Sequence, residues 1–190
     1  MKLNGVRSSA IASGRGCGIQ QTENGMAQSL RKSIHVVADP KNLDASVDEV
    51  FKTMLGIDCQ RDPVVLSTPT LGGPGTVTAV IGFGGLLSGA CVLQCRSEAA
   101  MLIAAQMTGM EFQEIDDTVK DGVGEICNML AGAWKSKVPG LAAGCGLSVP
   151  AVITGHDYDL HVQAPEFELR HSYRFGDASF TVTIVCDGIQ

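Results

Sequence analysis

One stretch, Asp121–Gly132, limits the fold of this chain more than any other, because its residue pattern fits a helix with two unlike faces. At 100° per residue, three polar residues and a glycine fall on one stripe of this helix, at spacings i, i+4, i+7 and i+11. The other side of the helix is apolar, so the pattern predicts a helix that is buried on one side only. The polar stripe consists of Asp121, Glu125, Asn128 and Gly132, and the apolar stripe of Val119, Val123, Ile126 and Leu130.

The polar stripe is unusual in composition. A face that only meets water is typically rich in long Lys and Glu side chains, whereas this one is short-chained and nearly without Lys. Gly122, Gly124 and Gly132 each cost a helix roughly 1 kcal/mol relative to Ala. Glycine beside a polar stripe is useful where another backbone comes close, so we expect Gly124 and Gly132 to make room for a partner. An ordinary solvated face is the alternative at this point.

Composition excludes several classes of function. The chain of 190 residues fits one domain with a substantial core. Its net charge of −6 divides into +4 over residues 1–32 and −10 over the remainder. An acidic body with few aromatic residues argues against a nucleic-acid partner. No apolar run approaches the ~18–20 residues of a membrane span, so we expect no membrane insertion.

The cysteines and histidines do not form a recognisable metal or nucleophile motif. Seven cysteines, mostly in apolar runs, predict reduced, buried thiols in a cytoplasmic protein. Cys127 falls toward the core side of the central helix, which favours a packing role over nucleophilic catalysis. Trp134 falls near the apolar stripe and is also expected to pack. The histidines have no suitable partners in sequence and are read as surface or sheet residues: His35, His156, His161 and His171.

The order of helix and strand patterns along the chain predicts an α+β domain. Residues 1–30 read as a disordered N-terminal extension, with Met26 as an alternative start, and residues 31–190 as the folded domain. Helices are expected from Asp44 to about Gly56, over Glu98–Met107, and from about Asp117 to Lys137. A weak internal repeat predicts two pseudo-duplicated halves, with two long helices packed on an antiparallel sheet of about six strands. Strand patterns occur at 64–68, 76–83, 88–95, 146–153, 158–163, 167–175 and 178–186.

The central motif and a later segment together resemble a known family. Asp121-x-x-x-Glu125-x-x-Asn128-Met-Leu-Ala-Gly132, followed by Ser148-Val-Pro150-Ala-Val-Ile-Thr-Gly155, is similar to the CheX branch of the CheC/CheX/FliY chemotaxis phosphatases. The similarity extends over about residues 42–187. The CheC branch usually has two Glu-x-x-Asn pairs, whereas this chain has one, in its second half, which is the CheX arrangement. The resemblance implies a CheC-like two-layer fold.

The resemblance also implies a function for the motif residues. The family dephosphorylates the phospho-aspartate of a CheY-like response regulator. Asn128 would orient the attacking water, Glu125 would pair with the Lys of the receiver domain, and Asp121 would have a supporting role. The chain would need no cofactor or metal of its own, because the partner receiver would supply Mg²⁺. These implications agree with the chemistry, since phosphoryl transfer depends on positioning and charge stabilisation.

Two further expectations follow from the family. Members often form homodimers through sheet edges, and the last predicted strand, with alternating Phe180, Val182 and Ile184, would suit that contact. The rival interpretation is a non-catalytic CheX-like adaptor that binds a receiver or a flagellar motor component. The intact Glu125/Asn128 pair favours the phosphatase, because a scaffold has no need of it.

Overall fold

The computed structural model describes residues 34–63, 75–155, 158 and 165–189. The expected extension at 1–30 and the strand expected at 64–68 lie outside the described residues, as does the strand at 158–163 except for Tyr158. The helices are α1 (Ile34–Val37), α2 (Pro40–Val50), α3 (Ser97–Thr108), α4 (Asp117–Lys137) and α5 (Leu141–Gly144), with a π-helical turn, Phe51–Leu55, after α2. The strands are β1 (Gln60–Asp62), β2 (Thr76–Gly85), β3 (Leu87–Arg96), β4 (Cys145–Leu147), β5 (Ala151–Gly155), β6 (Phe167–Phe175) and β7 (Ala178–Ile189).

The strands of the described residues form one antiparallel sheet in the order β1-β6-β7-β3-β2-β4, with β5 also paired to β2. Two hairpins, β2–β3 and β6–β7, lie side by side through pairing of β3 with β7. Each hairpin follows a long helix, α2 or α4. The short strand β1 of the first half pairs with β6 of the second, while β4 and β5 of the second half pair with β2 of the first. This exchange confirms an α+β fold with two pseudo-equivalent halves.

The core lies between the helices and one face of the sheet. Period-2 alternation in β2 places Val77, Ala79 and Ile81, all fully buried, on the helix-facing side. The indole of Trp134 on α4 is also fully buried and lies 5.3 Å from the ring of Phe83 at the end of that row. The packing role predicted for Trp134 is thereby confirmed.

The first residues of α2 and α4 are fixed by aspartate side chains that cap the helix N-termini. α4 begins where predicted, because the side chain of Asp116 accepts a hydrogen bond from the Val119 N–H at 2.9 Å. The predicted start of the first long helix at Asp44 was wrong: α2 begins at Pro40. Asp39 caps this helix by accepting from the Lys41 N–H at 3.0 Å, and a proline in the first turn has no N–H to leave unpaired. The Asp-Pro pair therefore starts a helix here.

The last strand does not offer a free edge. β7 lies in the middle of the sheet and pairs along its length with β3 on one side and β6 on the other. Phe180, Val182 and Ile184 are buried beneath the helices. The expectation that this strand would form a dimer contact was wrong, because both rows of its backbone hydrogen-bonding groups are already used. Among the described residues, the edges of the sheet are β1 and the β4–β5 side.

Candidate functional site

The two-faced helix predicted from the sequence is α4. Val119, Val123, Ile126 and Leu130 are fully buried, whereas Asp121 and Glu125 are exposed and Asn128 is half-buried. Within the described part of the chain, no hydrogen bond or ion pair engages the side chains of Asp121, Glu125 or Asn128. Residues at i and i+3 on a helix have Cβ atoms about 5–6 Å apart, so Glu125 and Asn128 present a carboxylate and an amide side by side. We call Asp121, Glu125, Asn128 and Gly132 the polar stripe.

The two glycines assigned to partner contact differ in their surroundings. A Cβ on Gly124 would lie 3.3 Å from both Pro150 Cβ and Val152 Cγ2, so the room at this position is filled by the chain itself. The expectation that Gly124 leaves space for a partner is corrected: Gly124 is buried and lets the segment after β4 pack against α4. A Cβ on Gly132 would meet no atom of the described residues within 4 Å, so that position is open on this part of the structure.

The segment between β4 and β5 contains a β-bulge. Sequence patterning predicts one strand over 146–153, but the structure divides it at Ser148–Pro150. Phe83 pairs with Leu147, and the Ser148 N–H donates to the Gly82 carbonyl, whereas Val80 pairs with Ala151. Val149 and Pro150 together therefore stand opposite Ile81. An extra residue of this kind is the definition of a bulge, and proline, which has no N–H for the ladder, is found at such places.

Ser148 holds the bulge in place. Its N–H donates to the Gly82 carbonyl at 2.9 Å, and its Oγ accepts from the Gly82 N–H at 2.8 Å. The same hydroxyl lies 2.8 Å from the Val149 carbonyl, to which it donates. We call Ser148, Val149 and Pro150 the bulge corner. The alternating pattern over 146–153 predicts one continuous strand and so does not show this corner, although a proline within a strand pattern indicates an edge or a bulge.

Charge on this side of the molecule is mainly negative. Lys120 pairs with Asp117 at 2.9 Å, and this hydrogen bond raises the pKa of Lys120 and lowers the pKa of Asp117. Since the cation of Lys120 is already paired, Asp121 and Glu125 give the first three turns of α4 an excess of negative charge. A surface of this kind attracts a partner that carries a positive charge.

The remaining sequence candidates have structural surroundings. Cys127 is fully buried and its Sγ lies 3.5 Å from the Ala79 carbonyl oxygen, in agreement with a packing role. His171 is a buried sheet residue whose Nδ1 lies 2.8 Å from Asp44 Oδ1, and His35 is exposed. His156 and His161 lie outside the described residues.

Over the described ranges, no group of three or more His, Cys, Asp or Glu side chains is placed to hold a metal ion. None of the helices in those ranges has both the length and the apolar character needed to cross a bilayer.

Comparison with known proteins was decisive for the family. Residues 77–170 match the model of the chemotaxis phosphatase CheX family. The CheY-P phosphatase CheX of Thermotoga maritima is 31% identical over 117 residues, which cover 60% of this chain and 74% of that protein. The chain belongs to the CheX family.

Solved structures agree with this assignment. A chemotaxis protein CheX from Desulfovibrio desulfuricans is 25% identical, superposes with a TM-score of 0.64, and covers 79% of this chain and 98% of its own. The CheX of a CheX–CheY–BeF₃–Mg²⁺ complex from Borrelia burgdorferi has the same fold at 20% identity and a TM-score of 0.62, covering 78% of this chain and 97% of its own. In this CheX-family chain the polar stripe lies on the matched segment, and the bulge corner is next to it.

Proposed function

We propose that this CheX-family protein hydrolyses the phospho-aspartate of a CheY-type response regulator, with Asn128 orienting the attacking water and Glu125 pairing with a lysine of the receiver. The observation that carries the proposal is the exposed carboxylate–amide pair on α4, which has no partner within the described residues. The relative from Thermotoga maritima is named as a CheY-P phosphatase, which supports the same substrate class here.

The reaction requires little covalent chemistry from this chain. Water attacks phosphorus, the bond between phosphorus and the aspartyl oxygen breaks, and inorganic phosphate leaves with the aspartate restored. The amide of Asn128 has an oxygen that can accept a hydrogen bond from the water and an NH₂ that can donate one to a phosphoryl oxygen. A neutral side chain suits this position, since a carboxylate would be repelled by the phosphoryl group. Positioning of this kind accounts for much of the catalysis in phosphoryl transfer.

Mg²⁺ belongs to the receiver side of the proposed complex. In the Borrelia burgdorferi complex the ion accompanies CheX and CheY together with BeF₃. On this chain the acidic side chains of the polar stripe, Asp121 and Glu125, lie one turn apart on an exposed helix surface. We assign Glu125 to the receiver's lysine and Asp121 to a supporting role in the same contact, with Gly132 leaving room for the approach.

Removal of the amide tests the proposal. Asn128→Ala should lower stimulated phosphate release from a phosphorylated CheY-type receiver, with Mg²⁺ present, by about 10²-fold or more, because the water loses its orienting group. The variant should keep the urea midpoint of the wild type, since the side chain of Asn128 makes no hydrogen bond within the described chain. Gln106→Ala removes an exposed amide from α3 and serves as the matched control. Full stimulation by Asn128→Ala would overturn the assignment.

The adaptor interpretation gives a different result in the same experiment. An adaptor would bind the phosphorylated receiver without accelerating phosphate release, and Asn128→Ala would then change nothing.

Location in the cytoplasm belongs to the proposal, and the free thiols of the described chain suit it. The homodimer expected from the family stays a prediction, with β1 and the β4–β5 side as the described sheet edges.

A further inference from the structure

We infer that Val149, at the bulge corner, is an apolar anchor that sets the affinity of this protein for its receiver partner. The inference rests on the proposed function, because it takes the phosphorylated receiver as the occupant. It assigns to the receiver an apolar patch beside its phospho-aspartate, which covers Val149 while Asn128 reaches the phosphoryl group.

The first observation is the exposure of Val149. Its side chain is 84% exposed, the largest value among the exposed large apolar residues of the described chain. A single exposed apolar residue is ordinary on a protein surface and needs no explanation by itself. Val149 differs because it lies in a β-bulge whose conformation is held by hydrogen bonds. Val149 and Pro150 together lie opposite Ile81, and Ser148 makes three hydrogen bonds at this corner. Bulges re-aim side chains and are frequent beside active sites.

The second observation is the position of the corner along α4. Lys135 near the end of the helix donates from Nζ to the Cys145 carbonyl at the start of β4, while Gly124 meets Pro150. The chain from 145 to 150 therefore runs beside α4 from the level of Lys135 back to the level of Gly124. A rise of about 1.5 Å per helical residue and about 3.3 Å per extended residue makes these two paths equal in length.

The third observation is the side of the polar stripe on which the corner lies. Gly124 and Asn128 are spaced i and i+4, so they share one side of the helix. Since Pro150 packs on Gly124, the corner flanks Asn128, while Gly122 on the other flank meets Ala104 and Met107 of α3. A partner that brings its phosphoryl group to Asn128 therefore comes close to the bulge corner, and we assign Val149 to that contact.

The energetics of protein interfaces explain why affinity and catalysis depend on different residues here. The ion pair assigned to Glu125 is at the surface, where such pairs contribute little affinity. Binding energy in protein complexes is concentrated in a few well-packed residues from which water is excluded. Val149 supplies such a contact next to the polar pair, so it sets KM, while Asn128 sets kcat.

The test is steady-state dephosphorylation of a phosphorylated CheY-type receiver, with KM and kcat determined separately. Val149→Asp should raise KM by about tenfold or more, because the lost apolar burial is joined by an unpaired charge in the contact. The kcat at saturating receiver should stay within about twofold, and Val149→Ile should keep the wild-type KM. Ile153→Asp is the matched control, since Ile153 is 39% exposed but lies on the opposite face of β5 from Val152.

The outcomes separate this inference from the proposed function. An unchanged KM for Val149→Asp, or a fall in kcat alone, overturns the anchor. If the wild type binds the receiver activated with beryllofluoride and Mg²⁺ but does not hydrolyse its phosphorylated form, the proposed function fails. In that case a tenfold weaker affinity of Val149→Asp for the activated receiver supports the anchor and an equal affinity overturns it. Absence of binding by the wild type overturns both.

Discussion

Gly132 is the position on the polar stripe where a methyl group could be added without contact with the described residues. No atom of those residues lies within 4 Å of the Cβ that it lacks, and Gly132 is in the interior of α4. Gly132→Ala should therefore stabilise the fold by about 1 kcal/mol through helix propensity, measured as a higher urea midpoint with unchanged slope. Under the proposed function the same methyl should raise KM for the receiver, because it stands in the approach.

Gly124→Ala is the matched control for that substitution. Both changes add one methyl to the same helix, but the Cβ on Gly124 would press at 3.3 Å on Pro150 and Val152. The gain in propensity is then offset by displacement of the bulge corner, so we expect no increase in the urea midpoint. A stabilised Gly124→Ala, or a Gly132→Ala without gain, would contradict this account of the two glycines.

At the residue scale, periodicity predicts the polar stripe but not its surroundings. The spacing of Asp121, Glu125 and Asn128 is a local property, and a helix converts it directly into a shared face. The neighbour of Gly124 is not local, because Pro150 reaches it from a different strand. No pattern within the helix could distinguish a glycine needed for internal packing from one left open.

Among the elements, α2 is tied to the sheet by a polar network that is only partly buried. Asp44 Oδ1 accepts from the Tyr173 hydroxyl at 2.8 Å and lies 2.8 Å from His171 Nδ1, while its Oδ2 accepts from Arg61 at 3.1 Å. Arg61 also lies 2.9 Å from His171 Nε2. Burial, and then the bond to Asp44, raise the pKa of Tyr173, so the phenol stays protonated as the donor. One carboxylate therefore joins α2 to both β1 and β6.

Asp44→Ala should destabilise the protein by about 2–3 kcal/mol, because the buried Tyr173 hydroxyl and the His171 ring lose their common partner. Urea denaturation at neutral pH measures the loss. Asp48→Ala is the control on the same helix, since Asp48 is exposed and its contact is an ion pair with Lys52 at 3.7 Å. Its effect should be within about 0.5 kcal/mol. Equal losses for the two variants would show that the network adds nothing.

Element boundaries follow the strength of their local signals. α4, β2, β3, β6 and β7 agree with the sequence prediction to within a few residues, because alternation or helical periodicity continues through each of them. The start of α2 was misplaced because Asp39-Pro40 is compatible with either a helix start or a break. The split between β4 and β5 was missed because alternation continues across the bulge corner.

At the scale of the whole molecule, the two halves repeat a plan but not a site. Each half contributes a long helix, a hairpin and short strands that pair with the other half, one from the first half and two from the second. One alignment of the two helices puts Val50, which is 4% exposed, at the place of Glu125, and a shift by one residue puts Glu49 and Lys52 at the places of Glu125 and Asn128. Neither register restores a Glu-x-x-Asn pair, so the proposed chemistry belongs to the second half alone. The repeat could be predicted from the order of elements, whereas the exchange of short strands depends on pairing between distant segments.

At the same scale, buried thiols such as Cys95 make the free energy of unfolding depend on pH in the alkaline range. Six described cysteines are free, and burial raises the pKa of Cys95 to about 12 and that of Cys186 to about 11. In the unfolded chain a thiol titrates near about 8.5. The unfolded state therefore releases protons that the folded state keeps, so stability is complete below pH about 8.5 and falls as the pH rises toward the folded pKa.

At pH 10 the loss from a thiol such as Cys95 should be about 2 kcal/mol, that is, about 1.5 pH units at 1.36 kcal/mol each. Urea denaturation under reducing conditions at pH 8 and pH 10 measures it. Cys95→Val cannot release this proton, so the fall between the two pH values should be smaller than in the wild type by that amount, whatever the variant's stability at pH 8. The comparison within each protein removes the titration of lysines and tyrosines, which both proteins share. An equal fall in both would mean that the Cys95 thiol ionises as readily in the folded core as in water, which its burial between the sheet and the helices does not allow.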